Sequence, residues 1–328
     1  MKILVTGSAG HLGEALARTL KRKGYSAVGL DIAGSPFTDI VGPITDRSLV
    51  RQCMIDVDAV LHTAALHKPH VATHSRQSFI DTNITGTLVL LEEAVAAHVN
   101  SFIFTSTTSL FGDALAPPTG VPAAWITEEV TPAPKNIYGV TKAAAEDLCQ
   151  LFYRNHGLPS LVLRTARFFT EPDDNPARRA AFDDANLKVN ELLYRRVDLE
   201  DVVSAHLEAI VRARQIGFGK FIISATSPFA QEDLGLLRAA APAVLRKRVP
   251  AFEAVFKARG WKMLEDIDRI YVNERARTVL GWKPEYDFAR AVDDIANGRD
   301  PRSPLAREIR FKGYHPNAFS DGFYPVES

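Results

Sequence analysis

Thr6-Gly7-Ser8-Ala9-Gly10-His11-Leu12-Gly13 stands between a short apolar run, Lys2–Thr6, and a segment, His11–Lys23, whose Leu12, Leu16 and Leu20 share one face at helical spacing. A glycine-rich turn between a strand and a helix has a physical logic that the same pattern elsewhere lacks. Gly7 permits a tight turn with dihedrals that other residues avoid. Gly10 lets backbone N–H groups approach an anion, and Gly13 lets the helix lie close on the strand. The helix N-terminus adds partial positive charge and free N–H donors. With His11 and Leu12 between them, these glycines predict a cradle for a dinucleotide pyrophosphate.

Working outward, Ser26–Asp31 reads as a second strand, and Asp31 ends it 18 residues after Gly13. An acid there accepts hydrogen bonds from the adenosine ribose and repels a 2′-phosphate, so the expected cofactor is NAD. Asp46, in Ile44-Thr45-Asp46, is placed either near the adenine edge or as the N-cap of a helix ahead of Leu49. Ala59–His62, Phe102–Ser106, Ser160–Arg164 and Lys220–Ser224 read as further strands; Arg76–His98, Gly139–His156 and Asp198–Arg214 read as helices. This alternation predicts an α/β fold: a Rossmann-type doubly wound parallel sheet with a smaller, mainly helical substrate lobe. The dinucleotide-binding part is expected over 1–166, with 198–226 returning to it. The lobe and tail are expected over 167–197 and 227–328, with Glu171–Arg179 a polar loop and Ala230–Leu280 mostly helical, broken at Pro242 and Pro250. The aromatic tail Gly313–Tyr324 is read as covering the active site or joining a dimer.

The chain carries 39 basic and 39 acidic residues, a balance that argues against a nucleic-acid partner and against a polybasic membrane anchor. No run approaches the roughly 20 apolar residues that a membrane crossing needs. The two cysteines, Cys53 and Cys149, are far apart, which suits a reduced, cytoplasmic protein.

Tyr138-Gly139-Val140-Thr141-Lys142 puts a phenol and an ammonium four residues apart, hence on one face of a helix. An ammonium lowers a phenol's pKa, so the pair is expected to shuttle a proton to and from a substrate hydroxyl. The strand Phe102–Ser106 ends in a hydroxyl cluster, Ser106, Thr107, Thr108 and Ser109, at the edge where such sheets hold their ligands. His67, His70 and His74 invite a metal site, but Pro69 disfavours a regular helix through them. They are read as solvent-exposed or substrate-lining imidazoles, and no metal is expected. No G-x-S-x-G elbow occurs, which sets a serine hydrolase aside.

These residues resemble the extended short-chain dehydrogenase/reductases, the NAD-dependent epimerase/dehydratase family. The likeness runs from Lys2 to about residue 295, through the glycine turn, Leu61-His62-Thr63-Ala64-Ala65, Asn83-Ile84-Thr85-Gly86-Thr87, Ser106-Thr107, Tyr138 with Lys142, Leu163-Arg164, Asp201-Val202-Val203 and Leu280-Gly281-Trp282-Lys283-Pro284. The resemblance implies that Tyr138 is the catalytic acid/base and that Lys142 binds the nicotinamide ribose. It implies that Thr107, beside Ser106, holds the reacting hydroxyl. Ala64 and Ala65 would lie under the cofactor, with Asn83 among the residues around it. It also implies a homodimer through the helices Arg76–His98 and Gly139–His156. Thr108-Ser109 replaces the Asp-Glu pair of the family's 4,6-dehydratases, so elimination of water is not expected. Arg167-Phe168-Phe169 stands where nucleotide-sugar epimerases carry an Asn, and Tyr194 stands where they carry an Arg; Thr108, Arg167 and Tyr194 are the substrate-side candidates. The resulting expectation is a (nucleotide-)sugar epimerase working through a keto intermediate, with a dehydrogenase of a sugar, sugar acid or other secondary alcohol as the alternative. A non-catalytic NAD sensor is disfavoured by the intact Tyr138/Lys142 pair.

Overall fold

The computed structural model describes residues 1–173, 175–309 and 311–313. The aromatic tail therefore lies outside the described residues, Gly313 excepted. The first five strands are β1 (Lys2–Thr6), β2 (Ser26–Asp31), β3 (Ile40–Val41), β4 (Ala59–His62) and β5 (Ser101–Thr107). With β7 (Ser160–Thr165) and β8 (Phe218–Ile223) they make a seven-stranded sheet in the order β3-β2-β1-β4-β5-β7-β8. Every adjacent pair is parallel. The strands β4 and β7 are buried along their whole length, as in a sheet covered on both faces.

Helices α1 (His11–Arg22) and α8 (Leu199–Ile216) cover one face, sharing a core that joins Leu12, Leu16 and Leu20 to Val202, Ala205 and Ala209. Helices α2 (Arg47–Cys53), α4 (Gly86–Ala96) and α5 (Ile137–His156) cover the other, with Val50, Leu90 and Cys149 packed together. This is the doubly wound α/β arrangement. The strand order reverses between β1 and β4, which places the ligand crevice at the carboxyl edge beside them.

The segment expected as one long helix, Arg76–His98, is interrupted. It begins as α3 (Arg76–Phe79), passes through a π-helical stretch, Ile80–Thr85, and continues as α4 to Ala96. Such bulges gather at functional sites, and here the stretch carries Asn83.

A second core gathers α7 (Asp184–Glu191), α9 (Leu234–Arg248), α10 (Phe252–Arg259) and α12 (Phe288–Ala296) around Leu187, Leu237, Phe256 and Phe288. The helix α9 is kinked at Ala240, two residues before Pro242. The stretch Ala230–Leu280 is mostly helical, with α9 and α10 separated at Pro250, and within it β9 (Arg269–Tyr271) pairs in parallel with β6 (Ala124–Ile126) in a separate two-stranded sheet. Strands of three residues carry too little alternation to be read from sequence. Trp282 anchors the end of this region to α8: its indole N–H donates to the Asp201 carbonyl at 3.1 Å and the Ser204 hydroxyl at 2.9 Å. The Asp201 carboxylate accepts in turn from the amides of Glu285 and Tyr286, each at 2.8 Å.

One buried ion pair lies beneath the crevice. The Arg164 guanidinium on β7 meets the Glu146 carboxylate on α5 at 2.8 Å, with both side chains no more than 2% exposed. The same carboxylate accepts from Ser106 on β5 at 2.6 Å and lies 3.2 Å from the Lys220 ammonium on β8. Removing one member leaves an uncompensated buried charge, so Arg164→Met is expected to cost about 3–5 kcal/mol of stability. Denaturant unfolding of the variant checks this, and a change within experimental error would show that water or Lys220 already compensates the carboxylate.

Candidate active site

The glycine turn has the geometry its sequence demands. Gly7 adopts φ +74°, and a Cβ there would lie 2.8 Å from the Ala64 amide nitrogen. A Cβ on Gly13 would lie 1.9 Å from the Gly7 carbonyl oxygen, so only glycine lets α1 approach β1 this closely. Gly10 is the N-cap of α1, and no side chain caps it. The first turn of α1 is thus left for an anion, which is how a dinucleotide pyrophosphate fits here.

Asp31, at the end of β2, accepts from the amides of Ala9 and Ala33, both at 2.9 Å, and so faces the turn. Ala64 and Ala65 follow β4 directly, with the Ala64 amide 3.3 Å from the Thr6 hydroxyl. Asp46 is the N-cap of α2, accepting from Ser48 at 3.0 Å and Leu49 at 3.1 Å; of its two expected placements, the structure shows the cap. Asn83 is 2% exposed and turned into the protein: it accepts from the Leu66 amide at 2.9 Å and donates to the Leu66 carbonyl and the Thr141 hydroxyl, both at 3.0 Å. It ties the chain after β4 to α5, so its polar atoms hold the site together.

At the carboxyl end of β5, a cavity of about 390 Å³ brings together His11, Leu12, Thr107, Thr108, Tyr138, Lys142 and Arg167. Asn136 caps α5 two residues before Tyr138, accepting from Gly139 at 3.1 Å, which fixes the helical register that puts Tyr138 and Lys142 on one face. Burial pushes the Tyr138 phenol up to about 12, against the opposing effect of a hydrogen bond with Thr107. Burial also pulls the Lys142 ammonium down to about 7, with Cys149 and Glu146 acting the other way. Lys142 donates to the Thr105 carbonyl at 2.6 Å and lies 4.0 Å from the centre of the Phe104 ring. The expectation that the ammonium lowers the tyrosine is thus outweighed here: desolvation of the phenol dominates and the lysine spends its charge on β5. Ser106 lines the cavity but gives its proton to Glu146, which makes it part of the support under the site.

On the substrate side, Thr108 is buried and its hydroxyl lies 3.5 Å from the Thr165 carbonyl. Arg167 donates to the Pro172 carbonyl at 3.0 Å and pairs with Asp173 at 3.4 Å. Tyr194 is outside the cavity lining: its phenol accepts from Arg178 at 2.9 Å, and the neighbouring Arg195 lines the cavity instead.

His67 and His11 line the cavity too, together with Arg269, which the sequence did not single out. His67 packs against the Tyr138 ring at 5.9 Å, and burial pulls its imidazole down to about 3. His11 meets the buried Glu171 carboxylate at 3.0 Å. Arg269 comes from β9. His70 receives a hydrogen bond from the His67 amide at 2.8 Å and its ring lies 5.0 Å from His74. Among the described residues no group of three His, Cys, Asp or Glu is arranged to hold a metal, and no helix is long and apolar enough to cross a membrane.

A family model, the NAD dependent epimerase/dehydratase family, matches residues 3–219. The chain belongs to that family. It is an enzyme of an NAD-using class. A UDP-glucose 4-epimerase of Rhizobium meliloti is 27% identical, covering 92% of this chain and 98% of that one. Among solved structures, a short-chain dehydrogenase/reductase superfamily protein from Agrobacterium tumefaciens with bound NAD superposes with a TM-score of 0.66 at 23% identity, over 94% of this chain and 97% of that one. A UDP-N-acetylglucosamine 4-epimerase from Bacillus cereus gives 0.62 at 21% identity, over 90% and 97%.

With its basicity held so low, the His67 imidazole is expected to stay neutral across pH 5–8. Imidazole NMR over that range reads this directly; a titration midpoint near the ordinary value of about 6.5 would contradict the buried geometry.

Proposed function

We propose that the enzyme interconverts or oxidises a secondary alcohol of a sugar-like substrate by reversible hydride transfer, with epimerisation as the leading outcome. The observation that carries this reading is the meeting of Tyr138, Thr107 and Lys142 in one cavity at the sheet's carboxyl edge, beside the glycine turn. NAD, when bound, supplies the hydride acceptor. Thr107 orients the substrate hydroxyl, and Tyr138 takes its proton and returns it. The Lys142 ammonium, four residues on along the same helix, favours the phenolate as the phenol gives up its proton. The walls of the cavity exclude water and fix the reacting atoms, which supplies part of the rate.

The full-length likeness to a UDP-glucose 4-epimerase supports an epimerase over a dehydrogenase. Thr108 and Ser109, where the family's dehydratases carry acids, place no carboxylate beside Thr107 and disfavour elimination of water. The two cysteines, free and buried, suit the cytoplasmic setting that belongs to the same reading.

Tyr138→Phe is expected to lower turnover by about 10²–10⁴-fold, the usual span for loss of a general acid/base, while NAD affinity stays near wild type. Steady-state kinetics and an NAD titration test it together, and retained turnover in the variant would sink the role given to Tyr138. Cofactor content of the freshly purified enzyme separates the two outcomes: NAD retained near one per chain supports an epimerase, which recycles it, and an empty protein supports a dehydrogenase.

A homodimer through α4 and α5 is part of the same proposal, since Val140 and Leu151 on α5 are 47% and 43% exposed. Sedimentation at the mass of a single chain at working concentration would rule it out.

A further inference from the structure

The wall of the cavity around Tyr138 is unusual in its charge. Lys68, Lys135, Arg167, Arg195 and Arg269 line it beside Lys142, and among the described residues no Asp or Glu does. The chain as a whole has no net charge, so this is a local concentration of cations. Low-dielectric walls lined by one sign of charge focus that field on whatever enters.

Carboxylates pair with several of these groups from outside the lining: Lys135 lies 3.1 Å from Asp113 and Arg269 2.9 Å from Asp268. Arg167 and Arg195 both reach Asp173; Arg195 and the neighbouring Arg196 both reach Glu191. These guanidiniums thus share two acids, Asp173 and Glu191, both no more than 2% exposed. Arg269 is held rigidly from the opposite side. Its Nη1 donates to the Leu115 carbonyl at 3.3 Å and the Asp268 carboxylate at 2.9 Å, and its guanidinium lies 5.7 Å from the Tyr194 ring centre. Its Nε is buried and has no hydrogen-bond partner. A buried N–H without an acceptor is costly in a folded protein, and a cationic donor held in place by its neighbours suits an incoming oxyanion.

We propose that the reacting molecule itself carries an oxyanion, a carboxylate or a phosphate ester on the sugar, which Arg269 and Arg195 hold while Thr107 and Tyr138 engage the hydroxyl. The inference rests on the hydride-transfer reading of the same cavity. The cofactor's own diphosphate does not account for these cations, because it fits at the glycine turn. Nor does the cavity favour a nucleotide as the bearer of the charge. Its volume, about 390 Å³, must also take the nicotinamide end of the cofactor. Phe168 and Phe169, whose ring centres lie 4.6 Å apart, line both this cavity and a neighbouring one.

The test is direct binding to the NAD-loaded enzyme by calorimetry, with glucose, galactose and mannose set against their uronates and 6-phosphates, and UDP as a further probe. At least one anionic sugar is expected to bind roughly tenfold or more tightly than its neutral parent, the scale of one charge-assisted hydrogen bond. The better of the two anions identifies the group as carboxylate or phosphate. Arg269→Met is expected to abolish the preference, Arg269→Lys to retain part of it, and both to leave NAD affinity unchanged. The proposal is overturned if no anionic sugar outbinds its neutral parent, if UDP alone binds as tightly as the anionic sugars, or if Arg269→Met keeps the full preference while still binding NAD. Because binding is read without turnover, the preference can be measured in Tyr138→Phe as well. Failure of the hydride-transfer reading would show as retained turnover in that variant, whatever the sugar preference.

Discussion

The whole site depends on how closely α1 can approach β1. The missing side chain of Gly13 lets the helix backbone lie against the Gly7 carbonyl, and the missing side chain of Gly7 lets that turn lie against the chain leaving β4. Three segments meet there with no side chain between them. The positive end of α1 is thereby brought to the carboxyl edge of the sheet, beside the strands that carry Asp31, Ala64 and Thr107. Any side chain at these two positions would push the helix outward and separate the anion cradle from the reacting groups.

Around that cradle, burial is the strongest influence on the ionisable groups. It disfavours charge on Tyr138, Lys142 and His67 alike, raising the acid and lowering the two bases. The protein therefore holds its proton-handling groups near neutrality and keeps its permanent positive charge on arginines, whose guanidiniums stay protonated under any such pressure. The two kinds of group share one cavity: the titratable ones lie after β4 and on α5, the fixed charges after β7, after α7 and on β9.

Much of the sheet and half of the site could be read from the sequence because their signals are local. A glycine turn between a strand and a helix, or a phenol and an ammonium one helical turn apart, is decided by neighbours in the chain. Strand and helix positions through β1, β2, β4 and α1 follow for the same reason. What escaped the sequence depends on distant partners. Arg269 faces the cavity only because β9 pairs with β6, across more than a hundred residues. The partners of Asn83 and Ser106, namely Leu66, Thr141 and Glu146, are likewise set by segments distant in the chain. Tyr194 and Arg195 are adjacent in sequence, yet only the second lines the cavity, a difference set by the side of the backbone each one leaves.

The buried carboxylate of Glu146 has a consequence for how this sequence can change over time. It serves β5, β7 and β8 at once through Ser106, Arg164 and Lys220. A replacement at any of the four alters the surroundings of the other three, so these positions are not free to drift one by one. Across descendants of this chain they should vary as a set or not at all, and the catalytic edge above them inherits that restraint.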